Sequence, residues 1–210
     1  MITGGIVTID AMGCQKDIAE SIIHQKADYV LSVKDNQKNL HESIRDCFNL
    51  LPKDAVVYRA RDGVNQDHGR LEERSIEVMD ASILYGLVDR GEWLGIASIA
   101  KIISKRESAY EKSEEHRYYI SSLSTTNPER ILRAIRSHWQ IENTLHWSLD
   151  VTFKEDGCRV RDENTALNLS WMRKMALSFL KGETSFKASI RRKQLKLWGS
   201  PDYFLKVLGI

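Results

Sequence analysis

Two short apolar, β-branched runs bracket a helical one within the first 34 residues, and that order leaves few folds open. Residues 5–10, GIVTID, follow a glycine and end in an acid, the pattern of a buried strand. Between Gln15 and Gln25 the apolar residues Ile18, Ala19, Ile22 and Ile23 recur at helical spacing. Residues 28–34, DYVLSVK, are apolar again. Strand, helix and strand within about 30 residues make a βαβ unit, whose strands lie parallel and adjacent. A second helix is expected over 37–50, with Leu40, Ile44, Cys47 and Phe48 on one face and Pro52 ending it.

Residues 55–122 have a different texture. Segments 56–61, 70–80, 96–108 and 114–123 alternate apolar and polar at period two, separated by turn-like stretches such as 62–69. They read as an antiparallel meander inserted after the βαβ unit. Thr126-Asn127-Pro128-Glu129 opens a helix, expected to reach about Leu149 with room for a break. Asp162 or Asn164 opens another through Lys181, and 186–198 and 201–208 are two short amphipathic pieces. The expected division is a core at 1–54, a β-rich insertion at 55–125, core helices at 126–181 and a basic helical tail at 182–210.

No apolar run reaches the roughly 18 residues of a membrane span, and no basic segment precedes the first apolar stretch, so neither a span nor a signal peptide is expected. The three cysteines, Cys14, Cys47 and Cys158, lack C-x-x-C spacing. That argues against a disulfide framework and a structural zinc site, and for a reducing cytoplasm. Net charge is only +2, yet residues 170–210 hold nine Lys and Arg against Glu183 and Asp202. Such a tail suits a polyanion, nucleic acid first, and suits a solvated helical face equally well.

Asp10 ends a strand at the edge where open α/β sheets place ligands, and its carboxylate can bind a hard cation such as Mg2+. An acid that caps the next helix is the alternative. On the helix over 135–150, His138, Glu142, His146 and Asp150 recur every four residues. Each step drifts about 40°, so the set spans about 120°. This stripe could ligate a metal or hold a phosphate, and an ordinary polar helix edge has the same spacing. It is not H-E-x-x-H, which argues against a zincin. Lys34, Asn36 and Gln37 follow the second strand at the same sheet edge as Asp10, and Arg159 and Arg161 lie in the polar stretch 154–164. Both groups suit phosphate and sugar contacts, or are simply polar loops.

The stretches TIDAMGCQ, DYVLSVKDNQ, HWQIENTLHWSLDVTFKEDGCRVR and NTALNLSWMRKMAL occur in order along nearly the whole chain. They resemble the H-repeat-associated insertion-sequence transposases, DDE transposases with a ribonuclease-H-like core. The resemblance implies an α/β fold: a partial ribonuclease-H-like core from the second-acid strand onward, a β-rich insertion and a helical basic C-terminal tail. It implies a cytoplasmic protein, without a membrane partner, that binds insertion-sequence ends and target DNA. Two Mg2+ ions would support strand cleavage by water and strand transfer by a 3′-hydroxyl. By residue match Asp10 is the second catalytic, metal-binding acid and Glu142 the third. On the residue reading above, Lys34, Asn36, Gln37, His138, Asn143, His146, Arg159, Arg161, Arg191, Arg192 and Lys193 are the candidate DNA or phosphate contacts. A homo-oligomer, or pairing with an intact transposase, is the implied assembly.

The chain departs from the family pattern in two ways. The first acid would precede Asp10, and the nine residues before Asp10 contain no acid. The expectation is therefore a truncated, inactive chain lacking the first catalytic Asp, with residues 5–10 an apolar edge open to association. A non-enzymatic DNA-binding or dimerising remnant is the competing reading. A small-molecule metal hydrolase is a third, and it leaves the basic tail unexplained. Second, Ile135, His138 and Leu149 stand where the family's Tyr, Arg and Lys flank the third acid. His138 would then take the place of the Arg as a phosphate contact.

Overall fold

The computed structural model describes residues 2–50, 55–63, 65–67, 70–84, 92–107 and 112–210. Pro52 lies outside them. The chain divides into two compact units, Met1–His138 and Trp139–Ile210.

The first unit starts with the expected βαβ. Strand β1 (Ile6–Ile9), helix α1 (Lys16–His24) and strand β2 (Asp28–Val33) follow one another, and β1 pairs parallel with β2 from Ile6↔Asp28 to Ile9↔Leu31. Helix α1 buries Ala19 and Ile22, carries Asp17 in its first turn and His24 in its last, and stops before Lys26, which takes a left-handed φ of 58°. The Asp17 carboxylate complements the helix dipole. Strand β2 is buried without alternation because both faces are covered: Tyr29 through Val33, Ser32 included, are all buried. Helix α2 (Lys38–Asn49) buries Leu40, Ile44, Cys47 and Phe48, the face expected from their spacing. Each such side chain contributes about 1.5–3 kcal/mol. His41 and Phe48 set their rings 5.3 and 6.2 Å from that of Tyr118.

The β-rich stretch holds β3 (Tyr58–Arg61), β4 (Asn65–Asp67), β5 (Arg70–Asp80), β6 (Ser98–Glu107) and β7 (Lys112–Ser121). The sheet order is β1-β2-β7-β6-β5-β3, with β4 on β5. Strands β5, β6 and β7 form the expected antiparallel meander. Two features differ from the sequence reading. Within the turn-like stretch 62–69, residues 65–67 pair with β5. The meander also does not stand apart from the βαβ unit: β7 pairs antiparallel with the free edge of β2, from Val30↔Ser121 to Val33↔Tyr118. Seven strands thus share one sheet, and among the described residues β1 has the single neighbour β2.

Period-two alternation sorts this sheet into two faces. Leu31, Val33, Ile99, Tyr118 and Ile120 join the core cluster with Ala19, Ile22, Leu40, Ile44 and Phe48 of α1 and α2. On the other face, α3 (Pro128–Ile141) buries Ile131, Leu132 and Ile135. It is tied to the sheet region by Thr8–His138 at 3.2 Å, Arg130–Asp28 at 3.8 Å and Arg136–Asp62 at 2.9 Å. Asn127 caps this helix, its Oδ1 accepting the Arg130 N–H at 3.0 Å.

The second unit continues the α3 chain through a π-helical turn, Glu142–His146, into α4 (Trp147–Phe153). It then forms α5 (Glu163–Gly182), α6 (Ile190–Gly199) and α7 (Pro201–Leu208). Asp162, Ser189 and Ser200 cap α5, α6 and α7. Leu180, Tyr203 and Val207 form a small core with Phe153, Phe186, Ile190 and Leu197. No helix among the described residues is long and apolar enough to cross a membrane.

A polar knot holds this unit together. The buried Glu183 carboxylate accepts from Tyr203 Oη at 2.7 Å, from the Ser185 N–H at 2.7 Å and from the Ser185 hydroxyl. The buried Lys193 ammonium donates to the carbonyls of Leu180, at 2.8 Å, and Glu183, and lies 3.8 Å from the Glu183 carboxylate. Ser185 and Tyr203 together hold Glu183 down to about 2. A carboxylate with a depressed folded-state pKa stabilises fully above its ordinary value, here 4.5, and loses that contribution as pH falls toward 2. Glu183→Gln is therefore expected to lower the melting temperature at neutral pH and to flatten its fall between about pH 4.5 and 2. Thermal unfolding followed across that window checks both. An unchanged acid limb would remove Glu183 from the unit's stability.

Candidate functional site

Asp10 is the first residue past β1. Its backbone is extended, with φ −70° and ψ 171°, and a tight turn over Ala11–Gly13 follows at once. The turn closes through Gly13 N–H to Asp10 C=O at 2.9 Å and Cys14 N–H to Ala11 C=O at 3.0 Å. Gly13 is required by close approach: a Cβ there would stand 2.3 Å from Cγ2 of Ile9. The carboxylate is half exposed, and Lys34, just past β2, brings its ammonium to 3.4 Å. The Ala11 backbone N–H, then Lys34 and His138, hold the Asp10 carboxyl below its ordinary value of 3.8, so it is ionised at neutral pH. His138 reaches this edge from α3, with Nδ1 3.2 Å from the Thr8 hydroxyl.

The expected neighbours of Asp10 separate by role. Lys34 faces its carboxylate. Asn36 and Gln37 grip the turn that carries it: Asn36 Nδ2 donates to Ala11 C=O at 2.5 Å, and Gln37 Nε2 to Cys14 C=O at 3.0 Å. These amides tie the two β–α connections together, which fixes where Asp10 stands.

Tyr119 and Arg117 join this neighbourhood, and the sequence reading missed them. Tyr119 pairs with Ser32, so its side chain shares the sheet face of Ser32, and Arg117 lies two residues further along that face. Burial, with Asp10 reinforcing it and Arg117 opposing, pushes Tyr119 to about 12. Arg117 donates from Nε to Glu115 at 2.8 Å. The alternation of HRYYI already puts 117 and 119 on one face; only the pairing with β2 reveals which face.

The other candidates belong to the second unit. Glu142 and Asn143 open the π turn and His146, exposed, closes it. The turn changes the drift of the four-residue stripe. Four residues overshoot one α-helical turn by about 40°. In a π turn the i→i+5 bond takes in more residues per turn, so four fall short of one. The step from 142 to 146 therefore drifts opposite to the step from 146 to 150, and the stripe does not fan out as a regular α-helix would make it. Arg159, Arg161, Arg191 and Arg192 are exposed. Lys193 corrects the sequence reading: it is buried, and its ammonium is spent on Leu180 and Glu183, so it does not present a charge to DNA. Among the described residues no three His, Cys, Asp or Glu side chains gather as a metal-binding group.

The Lys34 contact is open to test. Lys34→Met removes one of the causes that depress Asp10 and leaves the larger one, the Ala11 N–H, in place. Asp10 is expected to titrate higher than in the unsubstituted chain while staying below 3.8, as read by carbon-13 NMR of its carboxyl. An unmoved titration would show that the pair does not persist in solution.

Residues 1–179 match the family described as "Transposase DDE domain". The chain is 39% identical over 213 aligned residues to "Putative protein YbfL" of Escherichia coli K12, covering 99% of this chain and 56% of the relative. It is 39% identical, with the same coverage, to "H repeat-associated putative transposase YhhI" of the same strain. It is 38% identical over 211 residues to "Putative transposase YncI" of Escherichia coli O157:H7, covering 97% of this chain and 53% of the relative. The chain thus spans about half the length of these relatives. With a family match over residues 1–179 and the same relationship repeated along nearly its whole length, this chain belongs to the transposase DDE domain family.

Proposed function

We propose that this chain carries two of the acids, Asp10 and Glu142, and part of the DNA-contacting surface of an insertion-sequence transposase. Its reaction is cleavage and joining of DNA strands by metal-dependent phosphoryl transfer, in the cytoplasm, on a ribonuclease-H-like core with Mg2+ as the ion. The observation that carries the reading is Asp10: an ionised, half-exposed carboxylate at the C-terminal end of a parallel strand, in a turn clamped by Asn36 and Gln37.

Asp10 fits a hard divalent cation as one oxygen ligand, since such ions take carboxylate oxygens. Glu142 is the second ligand in this proposal. A bound divalent ion would stabilise the charge on the attacking and leaving oxygens of a phosphodiester. The chain's own groups do the rest. Lys34 and His138 border the Asp10 carboxylate and suit the non-bridging oxygens of a DNA phosphate. Exposed Arg159, Arg161, Arg191 and Arg192 suit the duplex backbone.

Asp10→Asn and Glu142→Gln test the metal assignment. With Mn2+ as a paramagnetic probe and an element-end duplex present, each substitution is expected to weaken ion binding by at least about 10–100-fold, the loss that a mere supporting residue causes. DNA affinity by fluorescence anisotropy should stay nearly unchanged. Unaltered Mn2+ binding in both variants overturns the proposal. Equal loss of DNA and ion binding makes the acids structural.

The tail gives a second test. Every phosphate that the protein no longer neutralises reduces the slope of log K against log salt by about 0.9 on duplex DNA. Arg191→Ala with Arg192→Ala is expected to flatten that slope by up to about 1.8 without lowering the melting temperature. Lys193→Ala should instead destabilise the unit. An unchanged slope in the double variant would assign both arginines to a solvated helix face.

A further inference from the structure

The π turn at Glu142–His146 is the least ordinary piece of backbone in the second unit, and the structure shows what holds it. Its middle residue, Thr144, accepts two side-chain donors on its carbonyl: Ser148 Oγ at 2.8 Å and Lys181 Nζ at 2.6 Å. The Thr144 hydroxyl itself donates to Gln140 C=O at 2.6 Å. Ser148 and Thr144 are local, one turn apart on the same helix. Lys181 comes from 37 residues away, in the last turn of α5.

A π turn breaks the i→i+4 ladder, and carbonyls at the break need other donors. An ammonium is the strongest donor on offer, and its bond to a carbonyl is charge-assisted. The register it protects is large. One residue more or less in a helix rotates everything beyond it by about 100° and moves it about 1.5 Å along the axis. Relaxation of the turn to regular α-helix would turn position 142 away from its setting relative to α4, whose Ser148 and Leu149 are buried in the unit. Functional sites are where such turns concentrate.

We propose that Lys181 is a positioning residue for Glu142: by holding the Thr144 carbonyl it maintains the π turn that sets the register of the third-acid position. The inference rests on the reading of Glu142 as a metal ligand, and it removes Lys181 from the charges of the basic tail that DNA would meet. Lys181 is exposed, so its use here is not forced by burial. A solvated lysine would have no need of a carbonyl on another helix, and holding one costs side-chain entropy that only a defined geometry justifies.

The test pairs Lys181→Met, which keeps the stem and loses the donor, with Lys181→Arg, which keeps a donor. Amide hydrogen–deuterium exchange is read over residues 142–149, and Fe2+ with ascorbate, in the presence of duplex DNA, reads the site by backbone scission near Glu142. Lys181→Met is expected to speed exchange in this segment by about tenfold, the scale of one charge-assisted hydrogen bond. It should abolish the scission while global melting and DNA affinity hold. Lys181→Arg should restore both readouts. Exchange unchanged in Lys181→Met overturns the proposal, and so does scission that survives faster exchange. If the unsubstituted chain shows no scission near Glu142 but Lys181→Met still speeds exchange, the metal reading of Glu142 fails and Lys181's assignment as its positioning residue falls with it, although its hold on the turn is real.

Discussion

Everything in the first unit is referred to β2. Its five consecutive buried side chains need cover on both faces, and its backbone gives one edge to β1 and the other to β7. The parallel partner comes from upstream by way of α1, because parallel strands need such a crossover. The antiparallel partner comes from the end of the meander. Buried serines act here and one strand over: Ser121 Oγ donates to Tyr29 C=O at 2.8 Å across the β2–β7 seam, and Ser98 Oγ of β6 donates to Leu123 C=O, just past β7, at 2.8 Å. A hydroxyl left unpaired at such a depth would cost about 1–3 kcal/mol, so these bonds specify the register as well as stabilise it.

The sheet also shapes the Asp10 edge. The largest cause that lowers the Asp10 carboxyl is local, the Ala11 backbone N–H of the turn, and neighbouring elements add to it. Here β2 delivers Lys34 from one side, and α3 delivers His138 through Thr8. Across β2, β7 supplies Tyr119, buried and raised to about 12, as a neutral neighbour. The result is one ionised acid among a cation, an imidazole and a phenol, on a turn to which Asn36 and Gln37 are hydrogen-bonded. The same residues that were candidates for touching DNA therefore act first on the acid.

The parts of this arrangement that were legible in the sequence are the local ones. The βαβ unit, the buried face of α2, the meander strands and the polar start of α3 follow from spacing and turn chemistry within a few residues, whereas the choice of Asp162 over Asn164 as the cap of α5 did not. What was not legible depends on contacts between distant segments. Nothing in HRYYI says that β7 will lie beside β2, because the bond from Ser121 to Tyr29 spans 92 residues. The meander therefore read as an insertion, although it extends the same sheet. The sequence left room for a break in the helix that starts at 128, but the place and π form of that break were hidden for another reason. A four-residue spacing is compatible with α-helix, and the sequence ENTLH carries no proline or glycine to announce an interruption.

The basic tail shows why a charge count is a poor measure of a binding surface. Its excess of Lys and Arg is real, but geometry divides it. Lys193 neutralises the buried Glu183 and closes the end of α5. Lys181 donates to a backbone carbonyl of the π turn. Lys196 lies 4.2 Å over the ring of Phe186 and 4.5 Å over that of Tyr203, a cation–π arrangement that turns it toward the small core. These cations thus act within the fold, as does Lys174, 5.5 Å over the ring of Trp171. Glu183 was the signal that could have shown this. An isolated acid in a basic segment must be solvated or paired, and a small helical unit with a small buried core has reason to pair it. The lysines that remain available to a polyanion are those for which the unit has no carboxylate, carbonyl or aromatic ring to offer. A DNA-binding surface on this tail is therefore defined by what its own core leaves unclaimed.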